Sequence, residues 1–248
     1  MSPRLHSAAL EAAGIEGSYT ARRVDRAGME AAFDELRVGS LHGANVTMPH
    51  KGLAAELADE LSPTAARAGS VNTLVRRGGG VAGDSTDVAA IRQAWGRLSD
   101  KRALVLGAGG AAAAALLALE GRPLLLAARR PVAARRLLDR TGVAASVLEW
   151  GVAAPGAVVV NATPLGMHHE GLPHGVLEAA GGLFDMPYAS GPTPAVARAR
   201  SLGIPVVEGI EMLLSQASLS FELWTGIAAS YASMRAALVD DHSPGSNL

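Results

Sequence analysis

The stretch Ala103-Leu104-Val105-Leu106-Gly107-Ala108-Gly109-Gly110-Ala111-Ala112 decides how the chain is read. Four consecutive apolar residues make a strand with no polar face, as expected of a strand buried on both sides. Glycines follow at once, and an alanine-rich run to Leu119 reads as a helix. The pattern is G-x-G-x-x-(G/A) set between strand and helix, where backbone N–H groups at a helix N-terminus receive a pyrophosphate. Gly107 permits the tight turn, Gly109 the close approach of backbone to ligand, and Ala112 close helix–strand packing. Gly107, Ala108, Gly109, Gly110 and Ala111 are the candidate dinucleotide-binding residues, against the competing reading of a purely structural glycine turn.

Reading outward, Leu124-Leu125-Leu126 is the next strand, and Ala127-Ala128-Arg129-Arg130 stands at its end. An NAD site carries Asp or Glu about twenty residues beyond the glycines to hold the ribose hydroxyl. Two guanidinium groups there favour a 2′-phosphate through charge-assisted hydrogen bonds, so the expected cofactor is NADP, bound by Arg129 and Arg130. The competing reading makes one of them a solvated helix charge, like Arg135 and Arg136. Further strands follow at Val158-Val159-Val160 and Leu183-Phe184. A helix runs from Pro194 to Leu202, with Gly203 past its end. This alternation predicts an α/β fold with a parallel sheet covered on both faces.

Upstream, Leu5, Ala8, Ala9 and Ala12 form one helical face, Ser40 to Val46 reads as a strand, and Lys51 to Leu61 as a helix. Leu74-Val75 and Val81-Ala82 flank a turn at Gly78-Gly79-Gly80. Asp87 opens a helix through Trp95, with Ser85, Thr86 or Asp87 as its N-cap. Downstream, Glu211 to Val239 is mostly helical with a break at Gly226. Met212, Gln216, Leu219 and Leu223 share one stripe, which leaves Gln216 as a polar residue on an apolar face. The expected organisation is residues 1–95 and 211–248 in one domain made from both chain ends, around a domain of residues 96–210.

Composition narrows the function. The 248 residues carry 22 basic and 23 acidic side chains, a net charge of -1, which gives no reason to expect nucleic acid or an anionic membrane as partner. With no cysteine, disulfides, thiolate metal sites and cysteine nucleophiles are excluded. The histidines have no metal-ligand spacing, and His50, His168, His169 and His174 read as surface or loop residues. Only Lys51 and Lys101 of the 22 basic residues are lysines. Lysine can release a proton where arginine cannot, so Lys51 is a candidate for proton-transfer chemistry, with chance retention as the competing reading.

Six ordered segments set polar groups among small residues. They are Asn45 to Lys51 (N-V-T-M-P-H-K), Ala68 to Thr73 (A-G-S-V-N-T), Gly83 to Asp87 (G-D-S-T-D), Asn161 to Met167 (N-A-T-P-L-G-M), Glu208 to Gln216 (E-G-I-E-M-L-L-S-Q) and Phe221 to Gly226 (F-E-L-W-T-G). Together they resemble shikimate dehydrogenase, in order from Ser2 to about residue 240. The resemblance implies an α/β substrate domain completed by C-terminal helices, plus a Rossmann-type NADP domain. It also implies reversible reduction of 3-dehydroshikimate by NADPH. On this pattern Lys51 is the general acid/base and Asp87 pairs with it and holds a substrate hydroxyl. Ser2, Thr47, Asn72, Tyr188 and Gln216 bind the rest of the substrate, and Met186 and Gly209 border the nicotinamide. The residues agree physically: an alkoxide left by hydride transfer needs a proton, and an ammonium beside a carboxylate supplies one.

The chain departs from the family pattern at its start. Ser2 matches the second serine of S-x-S-P-x-x-H-N, while the first serine and the strand before it do not appear. Ser7 and Ser85 replace asparagines, and Ala128 replaces the asparagine of N-R-T. The expectation is that the true start lies upstream of Met1. Related expectations are quinate or another hydroxylated cyclohexene acid as substrate, and, from a different class, an NADP-binding regulatory protein without turnover. A cytoplasmic location is expected, and a homodimer is left open.

Overall fold

A computed structural model of the chain describes residues 1–98, 102–188 and 191–239. The first part comprises α1 (Ser2–Ala12), α2 (Arg26–Val38), β1 (Gly43–Asn45), α3 (Lys51–Leu57), β2 (Glu60–Leu61), α4 (Pro63–Ala68), β3 (Thr73–Arg77), β4 (Gly80–Asp84) and α5 (Thr86–Trp95). Its strands form a sheet in the order β1-β3-β4-β2. β3 and β4 are an antiparallel hairpin turning on Gly78 and Gly79. Both glycines have positive φ, a conformation strained for other residues. Three expectations are corrected here. The strand expected over Ser40 to Val46 is only Gly43–Asn45, and Gly80 belongs to a strand rather than the turn. The helix expected through Leu61 stops at Leu57, because the chain turns extended at Ala58 and Glu60–Leu61 pairs with β4.

The second part follows as β5 (Ala103–Leu106), α6 (Gly110–Ala118), β6 (Leu124–Ala127), α7 (Pro131–Thr141), β7 (Ser146–Leu148), β8 (Val158–Asn161), β9 (Gly182–Asp185), α8 (Pro194–Ser201) and β10 (Val206–Glu208). Every neighbouring pair is parallel, in the order β10-β9-β8-β5-β6-β7. The apolar run in β5 now has its reason. Ala103 and Val105 pack into one core with Leu116, Leu126 and Phe184, while Leu104 and Leu106 pack into another with Val159, Leu183 and Val196. Strand order reverses at β5, which has β6 on one side and β8 on the other, so a crevice opens beyond its carboxyl end.

The chain closes with α9 (Gly209–Thr225) and α10 (Tyr231–Val239), separated at Gly226 in a left-handed conformation. The helix expected from Glu211 begins two residues earlier, directly after β10. The apolar stripe fades along it: Met212 is buried, Leu219 half-buried and Leu223 exposed. Leu5 and Ala9 of α1 share a core with Leu213, Phe221 and Met234, so the first described helix packs against the last two. Val88, Ile91 and Trp95 of α5 and Met212 of α9 pack with Val105 and Leu116, which seats this helix pair between the two sheets. Among the described residues no helix is long and apolar enough to cross a membrane.

His6 of α1 is fully buried, stacked on Tyr19 at 4.3 Å and tilted against Trp224 at 5.0 Å. Among the described residues its ring nitrogens meet no hydrogen-bond partner of good geometry, the Asn45 side chain being the polar group near them. Burial lowers its pKa from 6.5 to about 4, with the nearby Asn45 amide offsetting this in part. The unfolded chain therefore takes up this proton near pH 6.5 and the folded chain only near 4, so stability is lost as pH falls through that window. The loss is about 3 kcal/mol. His6→Phe keeps the stacking surface without the titration. Urea unfolding of the variant should show a smaller decline than the parent across the window, and equal declines would remove His6 as the cause.

Candidate active site

Lys51 is the first residue of α3 and Asp87 the second of α5, and the fold brings their charges together at 2.6 Å. The Asp87 side chain is 3% exposed and that of Lys51 23%. A carboxylate buried this far needs both oxygens satisfied. Lys51 Nζ donates to Oδ2 and Asn72 Nδ2 to Oδ1, the latter at 2.9 Å. Asn72 also donates to Thr86 Oγ1 at 2.9 Å and to Gln216 Oε1 at 3.3 Å. Its own Oδ1 accepts from the Thr86 backbone N–H at 2.9 Å. Asn72 thus caps α5 from outside the helix. Ser85 is the N-cap residue, but its side chain makes no capping bond.

Behind this cluster lies a second polar layer that sequence reading left unassigned. Ser220 Oγ accepts from Asn45 Nδ2 at 2.9 Å, bonds Thr73 Oγ1 at 2.8 Å and donates to the Gln216 carbonyl at 2.9 Å. Tyr19 donates to Asn45 Oδ1 at 3.0 Å. Ser220 is wholly buried and ties α9 to β1 and β3. Its signal was the spacing of four from Gln216, which puts two polar side chains on one helix face.

The expected substrate residues divide. Asn72, Asp87 and Gln216 join one hydrogen-bonded cluster with Lys51. Tyr188 stands beside it: burial pushes its phenol pKa up, Lys51 pulls it down and Asp87 raises it further. Thr47 is exposed in the turn after β1. Ser2 opens α1, half-buried, with no hydrogen bond to the cluster among the described residues. Tyr188 also borders a cavity of about 430 Å³, with Met1, Arg4, Gly209 and Arg200, that Lys51, Asn72, Asp87 and Gln216 do not line.

The glycine turn has the geometry a dinucleotide needs. Gly107 has a φ of +123°, and a Cβ there would come within 2.7 Å of the Ala162 carbonyl oxygen. Gly109 caps α6 with no side-chain bond to its first N–H groups, which leaves them for an anion. Ala108, Gly110 and Ala111 are half-buried around this turn. Arg129 and Arg130 are exposed at the end of β6, and their side chains have no partner among the described residues. Gly209 packs so closely that a Cβ would overlap the carbonyls of Met186 and Pro187, which joins the two expected nicotinamide-side residues. Beneath the crevice the fully buried Asp185 accepts from Asn161 Nδ2 at 2.7 Å and from Thr193 Oγ1, fixing the ends of β8 and β9. Burial raises the Asp185 pKa and these bonds oppose the rise.

A parallel sheet with a glycine turn at its switch point, next to a lysine–carboxylate pair, defines the class: a nicotinamide-dinucleotide oxidoreductase. Residues 1–74 match the family described as shikimate dehydrogenase substrate binding domain, and residues 209–239 the shikimate 5′-dehydrogenase C-terminal domain. The chain is 38% identical to a shikimate dehydrogenase (NADP(+)) of an Anaeromyxobacter species, over 96% of this chain and 90% of that protein. It is 36% identical to one from Archaeoglobus fulgidus, over 96% and 92%. It is also similar to shikimate 5-dehydrogenase from Thermus thermophilus, solved in complex with NADP(H) and shikimate. The TM-score is 0.87 at 33% identity, covering 96% of this chain and 94% of that one. The chain belongs to the shikimate dehydrogenase family.

Gly107→Ala forces a Cβ into both an unfavourable φ and the Ala162 carbonyl. We expect a loss of about 1–3 kcal/mol in stability, read as a lower urea midpoint. An unchanged midpoint would mean the turn relaxes without strain.

Proposed function

We propose that this chain is an NADP-dependent shikimate dehydrogenase, reversibly reducing 3-dehydroshikimate to shikimate. The observation that carries the reading is the Lys51–Asp87 pair, held by Asn72 and set against the glycine turn. Lys51 Cδ lies 4.0 Å from where a Gly110 Cβ would stand, so the ammonium group belongs to the same opening as the α6 N-terminus. Residues 1–95 and 211–248 are the substrate part and residues 96–210 the nucleotide part, of which 99–101, 189–190 and 240–248 lie outside the described residues. Arg129 and Arg130 hold the 2′-phosphate, residues 107–111 the pyrophosphate, and Met186 and Gly209 flank the nicotinamide.

The bound dinucleotide supplies the hydride; this chain handles the proton and the ring. Lys51 as ammonium gives a proton to the alkoxide oxygen as it forms, and takes it from the hydroxyl in the reverse direction. Asp87 orients that ammonium and accepts from a neighbouring ring hydroxyl. Asn72 and Gln216 present amides to the other hydroxyls, with Tyr188, Thr47 and Ser2 completing the surround. Several fixed polar groups are what a polyhydroxylated ring requires for orientation.

Mixing the chain with shikimate and NADP should raise nicotinamide absorbance, and quinate in place of shikimate tests the alternative ring. Lys51→Ala should lower kcat by about 10²–10⁴-fold while leaving NADPH binding in place. NADPH binding without turnover of either acid would favour a regulatory role and overturn the catalytic one. Replacing Arg129 and Arg130 together by Ala should raise the KM for NADP by at least about tenfold and leave that for NAD nearly unchanged. A parallel rise for both cofactors would remove the two arginines from 2′-phosphate recognition.

A further inference from the structure

Ser70 takes no part in the chemistry described above, yet its position is unusual. It follows the left-handed cap Gly69 at the end of α4, and only 4% of it is exposed. A Cβ at Gly110, the first residue of the nine-residue helix α6, would overlap the Ser70 hydroxyl oxygen. That hydroxyl has no hydrogen-bond partner among the described residues, and its oxygen keeps a small contact with solvent. A buried hydroxyl that faces an uncapped helix N-terminus, and keeps contact with the opening, lacks an acceptor that a ligand there would supply.

The loop carrying Ser70 is held firmly in this place. Arg67 of α4 donates to the Thr141 carbonyl at 2.8 and 3.1 Å and to the Glu120 carboxylate at 2.7 and 2.9 Å. These bonds fasten α4 to the end of α7 and to the turn after α6. On the other side of Ser70, the Val71 N–H donates to the Lys51 carbonyl at 2.9 Å, and Asn72 holds Asp87.

We infer that the Ser70 hydroxyl donates to a pyrophosphate oxygen of the bound dinucleotide, from the loop that carries the catalytic pair's amide partner. This rests on the dinucleotide reading of the glycine turn. A phosphate oxygen satisfies the hydroxyl and sits where the α6 N–H groups point, so one anion is held from both sides of the crevice. Nucleotide occupancy is thereby joined, through two residues of backbone, to the Asn72–Asp87–Lys51 cluster.

Ser70→Ala removes one oxygen without an intramolecular partner, so the unfolding midpoint should stay that of the parent chain. NADPH titration followed by its fluorescence, without substrate, should show binding weakened about tenfold. Adenosine 2′-monophosphate, which lacks the pyrophosphate, should bind parent and variant alike. Equal NADPH affinity in the two chains would overturn the contact. Equal weakening toward both ligands would overturn it too, since the change would then lie in the nucleotide site as a whole. A parent chain that binds no NADPH would instead sink the dinucleotide assignment itself, and the contact with it.

Discussion

The site depends on one side-chain amide. Asn72 is 3% exposed, and its amide group must find partners within the protein. Its two N–H groups are shared among Asp87 and Thr86, at 2.9 Å each, and Gln216, at 3.3 Å, and its oxygen accepts the Thr86 N–H. In doing so it fixes the start of α5, the rotamer of Asp87 and the face of α9 at once. A buried donor left without a partner costs about 1–3 kcal/mol, and a buried charge that loses one of its two partners costs more. The arrangement is therefore held as a unit: moving α9 or β3 alone would strand a charge or an amide. Ser220 reinforces this from behind, since Asn45, Thr73 and Gln216 all meet its hydroxyl.

The second constraint is topological. β5 and β8 are parallel neighbours, and the chain leaves β5 toward β6 on one side but β8 toward β9 on the other, so the crevice at their carboxyl ends comes with the strand order. The glycine turn fills one wall of that crevice. The loop after α4 fills the other, close enough that Gly110 must have no side chain. Hydride transfer needs donor and acceptor carbons close and aligned, and such positions are best held by rigid elements. Here the walls are joined by the α5–α9 pair, whose Trp95 and Met212 pack in the same core as β5.

Much of this was legible in the residues. Apolar runs without alternation, glycines in sequence and a Pro-to-Gly helix marked the parallel sheet, because local steric rules set those features. The boundaries in the first part were not. Lys51 to Leu61 has helical spacing throughout, but Glu60 and Leu61 are claimed by β4, a partner more than twenty residues away. Likewise Ser40 has strand neighbours, yet the residues in ladder register with β3 are Gly43–Asn45. The site shows the same division. Lys51, Asp87, Asn72 and Gln216 were readable from motifs, while Ser220 and Tyr19 act through partners far off in sequence. Gln216 stood out as a polar residue on an apolar stripe, and it is half-buried rather than enclosed because that stripe fades toward Leu223.

The same geometry accounts for a lysine at position 51 in a chain whose basic residues, Lys101 apart, are otherwise arginines. The two oxygens of Asp87 are already divided, Oδ2 to Lys51 and Oδ1 to Asn72. A guanidinium at position 51 would favour both oxygens through its fork and so compete with Asn72 for Oδ1. Losing that bond would loosen the cap of α5 and the partner of Gln216 together. An ammonium is a point donor that is satisfied by one oxygen and leaves its remaining N–H groups for a substrate. It is also the one of the two cations able to give up a proton and take it back. The packing and the chemistry thus select the same residue, each for its own physical reason.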